Sequence, residues 1–285
     1  MTYARPDALV STEWLAAHLS SPDVRIVDGS FYLPAQKRDP KAEFAQQHIA
    51  GAVYFDIDEI ADSSSPLPHM LPSPEKFSAR VRKLGLGDGV RIVVYDGGNM
   101  MAAARVWWMF RVFGHEDIAV LDGGLPKWLA EGRPVDDEAV IPRERHFTAR
   151  MNTLLVRDLA QMRANIDSAR EQVVDARGAG RFAATEPEIR PGLRGGHIPG
   201  SVNLPYSSLL RPDATLKSDD DIRAALAAIG VDPDKPIATT CGSGISASFL
   251  ALAFNLVGAR RIAVYDGSWT EWGGREDTPV ATGPA

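Results

Sequence analysis

The chain has 285 residues, 45% of them hydrophobic and 24% charged, proportions of an ordinary globular protein rather than a disordered or fibrous one. Its 31 basic and 37 acidic residues leave a net charge of −6, which excludes a global basic field for nucleic acid or an anionic membrane and leaves any anionic substrate to local cations. No run approaches the ~20 apolar residues of a membrane span and the start, Met1-Thr-Tyr-Ala-Arg-Pro-Asp, has no apolar core behind a basic region, so a cytoplasmic protein is expected.

At roughly 150 residues per domain the length predicts two domains. In chain order the first half reads as helix 12–19, strand 25–28, helix 75–84, strand 91–95, helix 103–113 and strand 119–121. The second half reads as strand 172–175, helix 220–229, strand 237–240, helix 247–257 and strand 262–265. The strands are short β-branched runs, and the helices are longer amphipathic stretches, several opened by Ser, Thr or Asp.

The halves repeat. Ile26-Val27-Asp28 returns as Val173-Val174-Asp175, and His48-Ile-Ala-Gly-Ala-Val53 as His197-Ile-Pro-Gly-Ser-Val202. Val120-Leu-Asp-Gly-Gly124 with Trp128 returns as Val264-Tyr-Asp-Gly-Ser268 with Trp272. Landmarks in one order at a nearly constant offset mean two copies of one domain. The expected division is 1–140 and 152–285, with the joint between Pro134 and Leu154, where mixed charges break the apolar pattern. The final Ala-Thr-Gly-Pro-Ala is expected to fray. Strand and helix alternation predicts an α/β fold: two tandem domains, each a mainly parallel sheet flanked by helices, with ligands beyond the carboxyl ends of the strands.

Cys241 is the single cysteine, which excludes an intrachain disulfide framework and multi-cysteine metal patterns. It follows the strand Pro236-Ile-Ala-Thr-Thr240 and precedes Gly-Ser-Gly-Ile-Ser246 and a helix. Two glycines let such a loop curl with its amides inward, and the helix start adds partial positive charge, so the loop favours an anion and a nucleophilic thiolate. In the first half Arg91-Ile-Val-Val-Tyr-Asp96 fills the same place and ends in Asp, so only the second half carries a nucleophile. His48 and His197 occur in both halves and are read as turn-fixing. Trp107 and Trp108 are read as core, and Trp269 and Trp272 as either core edge or site wall.

Cys241-Gly-Ser-Gly-Ile-Ser resembles the active-site loop of the 3-mercaptopyruvate sulfurtransferases of the rhodanese superfamily, usually Cys-Gly-Ser-Gly-Val-Thr. The likeness extends over nearly the whole chain, through Phe55-Asp-Ile-Asp58, Ser65-Pro66, His69-Met-Leu-Pro72, Arg105-Val-Trp-Trp-Met-Phe110, Gly180-Arg-Phe182, Thr185-Glu-Pro-Glu188, Gly196-His-Ile-Pro-Gly200 and Asp266-Gly-Ser-Trp-Thr-Glu-Trp272. Thiosulfate sulfurtransferases place Arg and Lys directly after the cysteine, whereas Gly242 and Ser243 are neutral. The chain departs from the pattern at Ile245-Ser246, at Ile189, where a proline is common, and in the loop Gly97-Gly-Asn-Met-Met101, which bears on acceptor preference.

The resemblance implies further roles. Cys241 would carry a persulfide within a binding loop of Gly242, Gly244, Ile245 and Ser246. Arg181 and Arg190 would hold the carboxylate and ketone oxygens of 3-mercaptopyruvate. Ser243, His69 and Asp58 would relay a proton, with His69 and Asp58 supplied by the first domain. The sulfur would pass to a thiol, thioredoxin or cyanide, with no metal or organic cofactor and with pyruvate released. The alternatives are a thiosulfate sulfurtransferase, or a redox sensor or binding module built on Cys241. A phosphatase is disfavoured because no Arg lies between Cys241 and Leu256 to close a phosphate loop.

Overall fold

The computed structural model describes residues 3–284. The strands of the first half are β1 (Leu9–Val10), β2 (Val24–Asp28), β3 (His48–Ile49), β4 (Val53–Tyr54), β5 (Arg91–Tyr95), β6 (Ile118–Leu121) and β7 (Val135–Asp136). Its helices are α1 (Thr12–Ala17), α2 (Pro40–Gln46), α3 (Ile57–Ile60), α4 (Pro74–Lys83), α5 (Met101–Val112) and α6 (Gly124–Ala130). The second half has β8 (Val156–Arg157), β9 (Gln172–Asp175), β10 (Val202–Asn203), β11 (Ile237–Thr240) and β12 (Ile262–Tyr265). Its helices are α7 (Leu159–Ser168), α8 (Ala179–Phe182), α9 (Asp219–Ala228), α10 (Ile245–Leu256) and α11 (Ser268–Trp272).

The first sheet runs β1-β6-β5-β2-β4 and the second β8-β12-β11-β9-β10, with every neighbouring pair parallel. The two orders superimpose strand for strand, so the repeated sequence landmarks occupy equivalent places in one α/β architecture. β5 and β11 stand at the centre of their sheets, apolar or β-branched and buried at nearly every position, as parallel strands covered on both faces must be. The edge strands β1, β4, β8 and β10 escape the sequence reading, because two residues show no periodicity. The helix α7 escapes it as well, although Asp158 and Gln161 form a capping box at its start.

The halves meet along α5 and α10. Both are apolar around most of their circumference, and every residue of α10 is buried, the signature of a helix enclosed on all sides. Alanines at 102, 103, 104, 247, 251 and 253 keep the two helices thin, and one continuous core includes side chains from both halves. The chain from 137 to 152 is not loose. Phe147 is buried, Asp88 N–H donates to the His146 carbonyl at 2.9 Å, and Arg150 N–H donates to the Phe113 carbonyl at 2.9 Å, strapping this segment along the first half.

The expectation of a frayed end fails for residues 281–283; Ala285 lies outside the described residues. Ala281 and His197 exchange backbone hydrogen bonds at 2.9 and 3.0 Å, and Gly283 N–H donates to the Ala183 carbonyl at 3.0 Å. This antiparallel bridge repeats the β3–β7 pairing of the first half, where His48 opposes Asp136. Gly196 permits the approach: it sits at φ +119, and a Cβ there would lie 2.3 Å from the Ala281 carbonyl oxygen. Backbone pairing therefore outweighs a composition that reads as a free tail.

Among the described residues no helix is long and apolar enough to cross a membrane.

Candidate active site

Cys241 follows the last residue of β11, is 2% exposed, and begins the turn into α10. Gly244 caps that helix at φ 77, ψ −9. A Cβ there would meet Arg105 Nη1 at 2.8 Å and the Asp266 carbonyl oxygen at 3.1 Å, so both conformation and space require glycine. The start of α11 fixes the rest of the loop. Trp269 N–H donates to the Cys241 carbonyl at 2.9 Å and Thr270 N–H to the Gly242 carbonyl at 2.9 Å, joined there by the Thr270 hydroxyl at 2.6 Å. Ser268 Oγ donates to the Tyr265 carbonyl and accepts from the amides of Cys241, at 3.3 Å, and Gly244, at 3.1 Å.

The inward curl expected of all the loop amides therefore needs correction. Two of them are committed to Ser268. Among the described residues the amides of Gly242, Ser243, Ile245 and Ser246 have no protein acceptor, and these four, at the positive end of α10, remain for an anion. The first half shows such a turn already filled. The Asp96 carboxylate accepts from the amides of Gly98, Met100, Ala102 and Ala103 at 2.9 to 3.0 Å. Burial pushes its pKa up, and the four amides oppose that shift.

Arg181 and Arg190 converge above the loop. A Cβ on Gly242 would lie 3.9 Å from Arg181 Nη1 and 3.8 Å from Arg190 Nη1, so the absence of a side chain at 242 leaves room between cysteine and guanidinium groups. Arg181 belongs to the single turn of α8, and its Nη1 lies 3.6 Å from Glu188 Oε2. Glu188 in turn holds Arg177 at 2.5 Å, and the fully buried Arg177 also grips Asp175 and the Gly196 carbonyl. This chain of charges ties Arg181 to the end of β9. Arg190 is half-buried. Burial lowers its pKa, the charges of Cys241 and Asp58 oppose that, and Arg181 adds to it.

Asp58, His69, Arg190 and Ser243 lie in one line. His69 Nδ1 is 2.6 Å from Asp58 Oδ1. Arg190 Nη2 is 3.3 Å from His69 Nε2 and 3.5 Å from Ser243 Oγ. A guanidinium only donates, so Nε2 accepts, and the imidazole proton is assigned to Nδ1, facing the aspartate. Arg190 thus faces both the serine and the histidine that the resemblance joins with Asp58 in a proton relay. His69 sits at φ +61, with Phe31 edge-on to its ring at 4.7 Å.

The Ile245 amide has no protein acceptor among the described residues, and its side chain belongs to the core. Ser246 lies buried in the first turn of α10. His48 and His197 stack on Phe44 and Phe182, and their Nδ1 atoms lie 2.7 and 2.9 Å from the carbonyls of those same residues, away from the loop. Trp269 and Trp272 are buried, with indole N–H groups donating to Arg194 and Pro279 carbonyls, which places them in the core. Among the described residues no three His, Cys, Asp or Glu side chains converge as for a metal ion.

Three positioning residues were not singled out by the sequence reading. Arg105, fully buried in α5, pairs with Asp266 Oδ1 at 2.7 Å, donates to the His69 carbonyl at 2.5 Å and lies 3.4 Å from the Gly244 carbonyl. Asp266 Oδ2 accepts from Leu71 N–H at 2.8 Å, so the pair ties both halves to the loop. An arginine inside Met101-Ala-Ala-Ala-Arg-Val-Trp-Trp was the available signal. Ser268 is the third, at φ +49, where the first half has Gly124 at φ +55. A serine replacing the glycine of a repeated left-handed corner marks a hydroxyl worth its strain.

The rhodanese-like domain family matches residues 11–131 and again 158–275. The 3-mercaptopyruvate sulfurtransferase of Homo sapiens is 42% identical over 271 residues, covering 93% of this chain and 91% of that one. The thiosulfate sulfurtransferase of Bos taurus is 43% identical over 272 residues, with the same coverage of 93% and 91%. The crystal structure of SseA from Escherichia coli, of the rhodanese fold, superimposes with a TM-score of 0.85 at 39% identity, covering 92% of this chain and 98% of that one. With its tandem domains and this loop, the chain belongs to the 3-mercaptopyruvate sulfurtransferase family of rhodanese-like proteins and is a sulfurtransferase.

Proposed function

We propose that the protein moves sulfur from 3-mercaptopyruvate, through a persulfide on Cys241, to a thiol acceptor. The observation that carries this reading is the pair Arg181 and Arg190 above Gly242, beside a cysteine loop with no cation of its own. Two guanidinium forks suit the adjacent carboxylate and ketone of a 2-oxo acid. Thiosulfate, doubly charged and compact, would be better served by cations within the loop.

In the first step Cys241 thiolate attacks the mercapto sulfur, the C–S bond breaks, and its electron pair enters the enolate of pyruvate. The proton of the mercapto group goes to the methylene carbon, giving pyruvate and a Cys241 persulfide anion, so atoms and charge balance. Arg190 and Arg181 stabilise the enolate oxygen, and the free amides of Gly242, Ser243, Ile245 and Ser246 hold the terminal sulfur. Ser243 carries the proton, with His69 and Asp58 setting the local field through Arg190. In the second step a small thiol, thioredoxin or cyanide takes the outer sulfur. The first domain, 1–140, covers and completes a site whose nucleophile lies in 152–285.

Pyruvate and thiocyanate release, measured with 3-mercaptopyruvate or thiosulfate as donor and cyanide as acceptor, tests this reading. The expected result is a strong preference for 3-mercaptopyruvate that disappears in Cys241→Ala. Preference for thiosulfate would replace the donor assignment, and turnover surviving in Cys241→Ala would remove the persulfide.

A further inference from the structure

The seam between the halves opens a second time, at the C-terminal ends of α5 and α10, into a small pocket open to solvent. From Ile245 to Asn255, α10 rises about 15 Å, so this pocket is separate from the Cys241 loop. Arg5, Arg111 and Arg260 line it, with Trp107 and Trp108 in its wall.

The charges here are unbalanced. Arg5 Nη1 and Arg111 Nη1 donate to one atom, Asn255 Oδ1, at 3.2 and 2.9 Å. Among the described residues, none of the three arginines forms an ion pair, and two of them share a single neutral acceptor. Glu116 is the carboxylate whose charge reaches Arg111, without pairing to it, while burial and Arg5 disfavour the Arg111 charge. Gathering cations at a partly buried seam in a chain of net charge −6 is unfavourable unless an anion completes the site. Arginine forks suit oxyanions in particular.

The wall adds a second requirement. The Arg111 guanidinium lies 4.8 Å from the centre of the Trp107 ring, and the buried Trp107 Nε1 has no hydrogen-bond partner. Trp108 Nε1 donates to the Leu155 carbonyl at 3.1 Å, and the Arg105 guanidinium lies 4.5 Å from the centre of its ring. The indole groups that line the pocket favour an apolar body beside the oxyanion.

We propose that this pocket binds an oxyanion carried on a flat apolar body, of which an aryl phosphate is the simplest form. The test titrates phenyl phosphate against tryptophan fluorescence in the Arg181→Gln/Arg190→Gln protein, where the active-site guanidinium groups cannot contribute. The expected result is a saturable change that benzyl alcohol does not produce and for which inorganic phosphate competes weakly. Affinity should fall about tenfold in Arg111→Gln and several-fold in Arg260→Gln. Position 260 is exposed, so that variant tests the site without disturbing the seam, and an unchanged melting curve confirms its fold. No saturable change, or equal affinity in the parent and in Arg260→Gln, overturns the proposal.

Discussion

The two halves of the chain build the same strand-turn-helix and end it differently. At the end of β5 stands Asp96, whose carboxylate already takes four amides of its own turn. At the end of β11 stands Cys241, above four amides without a protein acceptor. A turn with amides open to an anion is thus common to both, and on the proposed mechanism catalytic capacity depends on whether the chain fills it itself. The filled turn stabilises the fold. The open one keeps its amides free and is braced from outside by Ser268, Thr270 and the Arg105–Asp266 pair.

A single substitution makes the second half resemble the first. Cys241→Asp should abolish pyruvate release, a loss of at least about 10⁴-fold for a missing nucleophile, while its carboxylate takes up loop amides and keeps the melting temperature near that of the parent. A large fall in melting temperature would mean that the two turns are not equivalent anion sites. Arg105→Ala removes one partner of a buried pair and should lower unfolding free energy by about 3–5 kcal/mol in urea, with sulfur transfer falling as Gly244 and His69 lose their brace.

Arg190→Gln tests the outer layer of the open turn. It should reduce kcat/KM for 3-mercaptopyruvate on the order of 10²-fold, or about 3 kcal/mol, without reducing stability, since burial works against its charge. A change confined to KM would assign it to substrate binding alone.

Asp28 and Asp122, each pushed up to about 6 by burial, give a pH signature outside the loop. The native state binds more protons than the unfolded chain between pH 4 and 6, so their contribution is fully present below about pH 4 and is lost as pH rises through 6. Each is worth on the order of 2–3 kcal/mol. Asp122→Asn, which retains an acceptor for Leu216 N–H, should flatten that slope and raise stability at neutral pH; an unchanged slope would contradict the assignment. The smallest effect is expected from Ser268→Ala, about 1–2 kcal/mol from two amides left without an acceptor and a φ of +49, read as a lowered denaturation midpoint.

The frame of this molecule was legible because its central strands and seam helices are long enough to show a pattern. Arg91–Tyr95 and Ile237–Thr240 occupy the predicted positions, and the repeat of Asp-Gly before Gly124 and Ser268 marks equivalent corners. The edge strands were not legible, since two residues carry no period and are held by their neighbours. The tail misled because Gly and Pro at 283 and 284 read as loose chain, whereas its hydrogen bonds depend on His197, distant in sequence. Cys241 announced itself through the glycines around it. The convergence of Arg181 and Arg190 was suggested by family resemblance, and Arg190 between Ser243 and His69 appears only when the two halves are folded together. Arg105 carried a signal, a charge in an apolar helix, whose meaning required Asp266 on the other half.

The most direct measurement is a single turnover with 3-mercaptopyruvate and no acceptor, followed by mass spectrometry of the intact protein and of the peptide containing Cys241. The expected result is one added sulfur atom on Cys241, formed in step with one equivalent of pyruvate, and removed by a thiol. Pyruvate released from a protein whose only cysteine stays unmodified would contradict the open turn as the site of sulfur transfer.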